Sequence, residues 1–280
     1  MKVKNLKLAL FAVSLLALTL QSCKDEDPVI GKKKLVVENK QRATVAYVGA
    51  TWCPPCGTYG DPTKSYMTSA HGDDVVILNS QSADAISASG SFGHLFGNEF
   101  QKSVGSTSIP HAYWLGANVD MVHRGFYTDQ NANNEHASRE IEAIIKNDPN
   151  VGVAAKATLS DDVVTVETLS KFYKSSDVSH YIGVYLLEDK VEAKQSGAPS
   201  DAPGGITSHE NVLRAAAYTD NNLGIQSVGE SFTENQEVQG NYSIEIPRTV
   251  LNNDNLKVAV VIFESNKPDG VSNSILVDIN

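Results

Sequence analysis

Apolar positions along the chain follow three rhythms. Residues 8–20 form one continuous apolar run, preceded by Lys2, Lys4 and Lys7. From residue 35 to about 149, short apolar runs alternate with helical spacing. Residues 43–49 (Ala-Thr-Val-Ala-Tyr-Val-Gly) and 75–78 read as buried strands, whereas Ala137, Ile141, Ile144 and Ile145 recur along one helix face within 133–147. Asn133 or Asn134 is placed to cap that helix and Pro149 to stop it. From Val151 onward the period is two: residues 164–169, 181–187, 242–246, 256–263 and 275–279 are strand candidates separated by Gly, Asn, Asp and Ser turns. The pattern predicts an α/β domain over 35–148 followed by an all-β antiparallel sandwich domain over 151–280. Gly197, Pro199, Pro203, Gly204 and Gly205 mark residues 195–208 as a long loop, and residues 80–91, rich in Ser, Ala and Gly, read as an insertion.

The apolar run of residues 8–20 would span about 20 Å as a helix, short of a hydrocarbon core, so it reads as an export signal rather than a permanent span. Leu20-Gln21-Ser22-Cys23 resembles a bacterial lipobox. That resemblance implies a signal peptide over 1–22, a lipidated (palmitate-bearing) Cys23 as the new N-terminus, and a tether over 23–34 that keeps the folded part near its membrane. An ordinary signal peptide cut nearby would instead leave Cys23 a free thiol. Lys24-Asp25-Glu26-Asp27 resembles the surface-export signal of some outer-membrane lipoproteins. The expected location is the outer membrane, lipid-anchored, facing either the cell surface or the periplasm. Without the three leading lysines the chain carries 20 basic against 33 acidic residues, a net −13, which argues against a nucleic-acid partner.

The remaining cysteines stand in Trp52-Cys53-Pro54-Pro55-Cys56, between a predicted strand and a helical stretch near Gly57. Cysteines three apart at a helix start can close a small disulfide ring, and the first thiolate then meets unpaired backbone N–H groups at the positive helix end. Cys53 is expected to be the more exposed sulfur, and a proline before a proline should delay the helix to Pro55. One cysteine pair falls short of a metal site, and His71, His94, His111 and His123 are scattered along the chain, so neither metal nor cofactor is expected.

Thr107-Ser108-Ile109-Pro110 precedes a strand-like run, a Gly116-Ala117-Asn118 turn, a second strand and Gly125. Together with the Trp-Cys-x-x-Cys turn, this order resembles the thioredoxin superfamily over residues 35–148. The resemblance implies a thioredoxin-like domain in which Cys53 is the nucleophile, Cys56 the resolving thiol and Trp52 packs beside the pair. It also implies a cis Pro110 against the disulfide, with Ile109 offering its backbone to a bound peptide. Two features depart from that pattern: Tyr47 stands where the family commonly has a buried acid, and the stretch between Cys56 and Pro110 is lengthened over 80–106. With a lipoprotein start and a β-rich second half, the whole resembles the twenty-eight-kilodalton outer-membrane protein family, to which the segment His209-Glu210-Asn211-Val212-Leu213-Arg214 is loosely similar. No role is assigned to that segment beyond core packing of Val212 and Leu213.

The expected function is thiol–disulfide exchange with protein thiols or disulfides of the envelope, through a redox-active centre at Cys53 and Cys56. The alternative is a non-catalytic binding or adhesion lipoprotein with a structural disulfide. If the tether carries the protein outward, protease treatment of intact cells should digest it; protection until the outer membrane is opened would show a periplasmic face.

Overall fold

Residues 43–49 are buried at every position, which a strand achieves only when both of its faces are covered. In the computed structural model of the protein, which describes residues 34–280, this strand is β1 (Ala43–Gly49). β2 (Val75–Gln81) runs parallel to it on one side and β3 (His111–Leu115) antiparallel on the other, with β4 (Val122–Gly125) at the edge. A parallel pair needs a crossover, which α1 (Asp61–His71) supplies, and α3 (Gln130–Ile145) follows β4. Ala43, Val45 and Tyr47 pack with Met67 of α1 and with Ala137, Ile141 and Ile144 of α3. The alternate side chains Ala46 and Val48 face a second core. The expected signal segment 1–22, Cys23 and the tether up to residue 33 lie outside the described residues.

The second core contains a helix that the sequence pattern hides. Within the lengthened stretch 80–106 lies α2 (Phe92–Ser103), which buries Phe96 and Phe100 against Val48, Leu78, Tyr113 and Tyr185. Gly93 and Gly97 look like loop residues in sequence but are points of close approach. A Cβ on Gly93 would lie 2.4 Å from the Leu213 carbonyl oxygen, and one on Gly97 2.2 Å from Ser80 Oγ. Ser91 caps the helix by accepting from the His94 N–H. α3 likewise starts earlier than Asn133 or Asn134 would allow. Asp129 is its cap, accepting from the N–H groups of Asn131 and Ala132, while Asn133 bonds the backbone of Tyr127.

The second half is all β: β5 (Val151–Ser160), β6 (Val163–Phe172), β7 (His180–Glu188), β8 (Val191–Lys194), β9 (Ile206–His209), β10 (Val212–Ala216), β11 (Ile225–Gly229), β12 (Glu237–Glu245), β13 (Leu256–Phe263) and β14 (Val271–Asp278). β12, β6 and β5 make a three-stranded sheet, and β8 and β9 a separate hairpin ladder that shortens the expected loop. The remaining strands do not form a sheet of their own. They join the first four in the order β14-β13-β7-β10-β2-β1-β3-β4, with β11 also on β7.

β7 and β13 are therefore buried on both faces. Tyr185, Leu187, Ala259, Val261 and Phe263 enter the core around α2, while Ile182, Val184, Leu186, Val258, Val260 and Ile262 face Val153, Val164, Val166 and Ile244 of the three-stranded sheet. The three-stranded sheet packs there on a sheet that is shared with the α/β half. The boundary near residue 150 is thus not a break between separate bodies, and residues 35–280 form one unit. β14 also returns to β1, where Thr44 Oγ1 donates to Ser274 Oγ at 2.8 Å and Asn273 accepts from the Arg42 N–H at 3.0 Å. No helix among the described residues is long and apolar enough to cross a membrane.

Glu188, at the end of β7, pairs with Arg214, a buried charge that reaches the first half. It accepts from Arg214 at 2.7 Å and 2.8 Å and from the N–H groups of Leu251 and Asn252 at 2.8 Å each, while Arg214 also donates to the Ile86 carbonyl. Glu188→Ala strands the guanidinium in the interior and should cost about 3–5 kcal/mol in urea unfolding; a Glu188→Leu, Arg214→Met double variant should recover most of it.

Candidate functional site

β1 delivers the chain through Ala50 and Thr51 into the cysteine turn. The Cys53 carbonyl accepts from the N–H groups of Cys56 (3.1 Å) and Gly57 (3.4 Å), and Cys53 Sγ accepts from the Cys56 N–H at 3.2 Å. Cys53 thus occupies the helix cap, its sulfur standing where a serine or aspartate oxygen would. Pro54 and Pro55 fill the first helical positions, where a missing N–H costs nothing, so the helical turn begins one residue before the proline pair suggests. Residues Cys56–Gly60 form a π-helical turn. Pro62 has no N–H to reach the Thr58 carbonyl, and the Asp61 N–H bonds the Cys56 carbonyl instead.

Cys53 and Cys56 are joined in a disulfide, with Cα atoms 5.3 Å apart. Ala50 clusters with the two cysteines, and Ile109 packs against that cluster. The Ile109–Pro110 bond is cis, and Pro110 Cβ lies 3.0 Å from where a Cβ on Gly60 would stand. The fold thus brings Ile109 and Pro110 onto the turn that holds the two cysteines. Trp52, expected beside the pair, is 57% exposed, and its indole N–H donates to the Ala83 carbonyl at 3.1 Å.

Cys53, expected to be the open sulfur, is only 2% exposed. A segment from the second half lies against the backbone of this turn. The buried Gln195 side-chain amide donates to the carbonyls of Cys53 (3.1 Å), Ala50 (3.3 Å) and Ser196 (2.9 Å), and the Ser196 N–H donates to the Thr51 carbonyl at 2.7 Å. Thr58 Oγ1 donates to the Gly197 carbonyl at 3.2 Å. Sequence reasoning marked this stretch as a loop by its Gly and Pro content; nothing local in it signals that Gln195 would land on the cysteine turn.

Below the disulfide, Tyr47 is fully buried, and its hydroxyl has no hydrogen-bond partner among the described residues. Burial, reinforced by the charge of Asp61, raises its pKa well above the ordinary tyrosine value. Lys64 Nζ sits 4.3 Å above the Tyr47 ring and 2.9 Å from Asp61, whose second oxygen is 3.9 Å from Nδ1 of the buried His209. Burial and Lys64 hold His209 below the usual histidine pKa, against the opposing pull of Asp61 and Asp84. These three groups went unread in sequence because they lie on α1 and β9, far apart in the chain. Val212 and Leu213, beyond His209, are buried as expected.

Two of the scattered histidines meet. His111 Nε2 and His123 Nδ1 lie 3.1 Å apart on β3 and β4, and Ser108 Oγ is 3.1 Å from His111 Nδ1. Among the described residues no three His, Cys, Asp or Glu side chains converge as a metal site.

A β-rich fold with a short helical first part and a disulfide capping a helix defines the class of this protein. The profile of the family described as outer membrane protein Omp28 matches residues 98–279. The chain belongs to that family, which places it in the outer membrane of the cell envelope. The match begins inside α2, so it includes Ile109 and Pro110 but not Cys53 and Cys56. Among solved structures, HBP35 of Porphyromonas gingivalis is similar at a TM-score of 0.67 and 12% identity, covering 86% of this chain and 76% of that one. That likeness concerns the fold alone. MTB dsbF, in its mixed oxidized and reduced forms, aligns at a TM-score of 0.28 and 12% identity over 36% of this chain and 82% of that one, too loosely to carry an argument. No curated protein sequence matches.

His111 supplies a pH test. Burial, with a smaller contribution from His123, lowers its pKa to about 4. Between pH 6.5 and 4 the unfolded chain binds a proton that folded His111 refuses, so acidification through that window costs stability, at most about 1.4 kcal/mol per pH unit. Thermal midpoints of His111→Gln should fall less steeply over that range than those of the parent.

Proposed function

We propose that this envelope protein carries out thiol–disulfide exchange on envelope or extracellular polypeptides, anchored to the membrane through lipid on Cys23. The observation that carries the reading is the Cys53–Cys56 disulfide at a helix start with Ile109 packed against the cluster that the two cysteines form with Ala50. The strand order β2-β1-β3-β4, with one parallel and two antiparallel pairings and α1 and α3 on one face, supports treating residues 35–148 as a thioredoxin-like part.

In the reduced form, the Cys53 thiolate attacks one sulfur of a substrate disulfide; a Cys53–substrate bond forms, and the other substrate sulfur leaves as thiolate. The Cys56 thiolate then attacks Cys53 Sγ, restoring the Cys53–Cys56 bond and releasing the second substrate thiol. Run backwards, the same steps oxidise a substrate dithiol. The helix start stabilises Cys53 as thiolate, since the Cys56 N–H already points at its sulfur. Ile109 presents its backbone to the bound peptide and Trp52 an exposed ring beside it. No carboxylate stands at the Tyr47 position, so the Cys56 proton passes to water or to another group. An outer-membrane site is separated from the cytosolic thiol pool, which favours oxidation or isomerisation over reduction.

A second reading, a binding or adhesion lipoprotein with a structural disulfide, draws on the burial of both cysteines and on a family match that stops short of them. Against it, a ring closed over so few residues removes little chain entropy. The redox reading expects Cys56→Ala to capture envelope polypeptides in reducible mixed disulfides through Cys53, and the parent to accelerate refolding of a reduced, scrambled substrate or reduction of insulin. Absence of captured partners together with background rates in both assays would leave the structural disulfide as the correct account.

A further inference from the structure

Thiol exchange requires in-line approach of a foreign sulfur to Cys53 Sγ, yet the residue is closed off by its own chain. The cover is specific. Gln195, itself 3% exposed, spends its amide donors on the carbonyls of Ala50, Cys53 and Ser196. Ser196 bonds the Thr51 carbonyl through its own N–H, and the Gly197 carbonyl accepts from Thr58. The fit extends to atoms that are missing. A Cβ on Gly57 would strike the Ser196 carbonyl oxygen at 2.4 Å, and one on Gly197 the Pro54 carbonyl oxygen at 2.1 Å. Gly197 also holds a φ of +74°, a conformation that side chains other than glycine adopt at a cost. The segment is bounded on one side by β8, and Gly204 and Gly205, both at positive φ, stand before β9 on the other.

We propose that residues 195–197 form a strap over the redox turn, and that the Cys53–Cys56 couple exchanges only when this strap lifts. The proposal rests on the redox reading above but concerns access rather than chemistry. Lifting releases the Ser196–Thr51, Gln195–Cys53 and Thr58–Gly197 bonds and leaves the β8–β9 ladder in place, so it is a local opening well short of unfolding. The strap comes from the sheet-forming second half, so the site is assembled from both halves of the chain.

The test is reduction of the oxidised protein by dithiothreitol, followed by trapping of free thiols at timed intervals. A dithiothreitol thiolate attacks Cys53 Sγ, the Cys53–Cys56 bond breaks with Cys56 leaving as thiolate, and the second reductant thiol displaces Cys53 to give cyclic oxidised dithiothreitol. With a strap in place, the parent rate should level off at high reductant, at the rate of opening. Gly197→Ala should relieve that plateau and react at least about tenfold faster, Gln195→Ala should move the same way, and Gly204→Ala should match the parent. Gly204 shares the positive φ, but its Cβ would meet nothing within 4 Å. A parent rate that stays linear in reductant, as fast as that of an open disulfide, overturns the strap, and this measurement needs no variant to fold. Linear kinetics with active protein-disulfide exchange would remove the strap and leave the redox reading standing; a plateau with background exchange would do the reverse.

Discussion

Burying β7 and β13 on both faces is the constraint from which the rest of the architecture follows. A strand with one wet face can end a domain, but these two alternate between the core around α2 and the core of the three-stranded sheet. Each must therefore have a layer on either side, and the only material available for the α2 side is the first half of the chain. At about 25 cal/mol per Å² of apolar area removed from water, such burial outweighs any single polar contact across the junction. The polar contacts do something else: Arg214 with Ile86, Thr44 with Ser274 and Asn273 with Arg42 fix the register in which the halves meet.

That register decides what happens at the cysteines. The ladder linking β10 to β2 is a single pair, Val212 opposite Asn79, but the Asn79 side chain also donates to the Glu210 carbonyl, so the β9–β10 turn is held against the end of β2. The β8–β9 hairpin lies just upstream, which puts Gln195 over Cys53 and His209 beside Asp61. A site that looks complete within fifty-odd residues of sequence is thus hydrogen-bonded by residues more than a hundred positions away.

Much of this was legible beforehand, and the failures have physical causes. β1 and β13 are legible to the residue because runs such as Ala-Thr-Val-Ala-Tyr-Val-Gly bury both faces and stop at turn formers. The cysteine turn and Ile109-Pro110 were legible because their chemistry is carried by residue type. α2 was not, since glycines that permit close approach cannot be told in sequence from glycines that permit bends. The start of α3 was misplaced because Asp129, Asn133 and Asn134 compete as caps, and only tertiary contacts assign Asn133 to Tyr127. The meeting of His111 with His123 and the covering of Cys53 are products of pairing and docking, which leave no local trace.

The shared sheet also bears on how the gene can be divided. A fragment ending near residue 148 would keep both cysteines of the disulfide turn but lose Tyr185, Leu213 and Val261 from around Phe92, Phe96 and Phe100, leaving a row of aromatic rings facing solvent. The visible motif is therefore not a detachable module: its solubility is underwritten by strands that carry none of its chemistry.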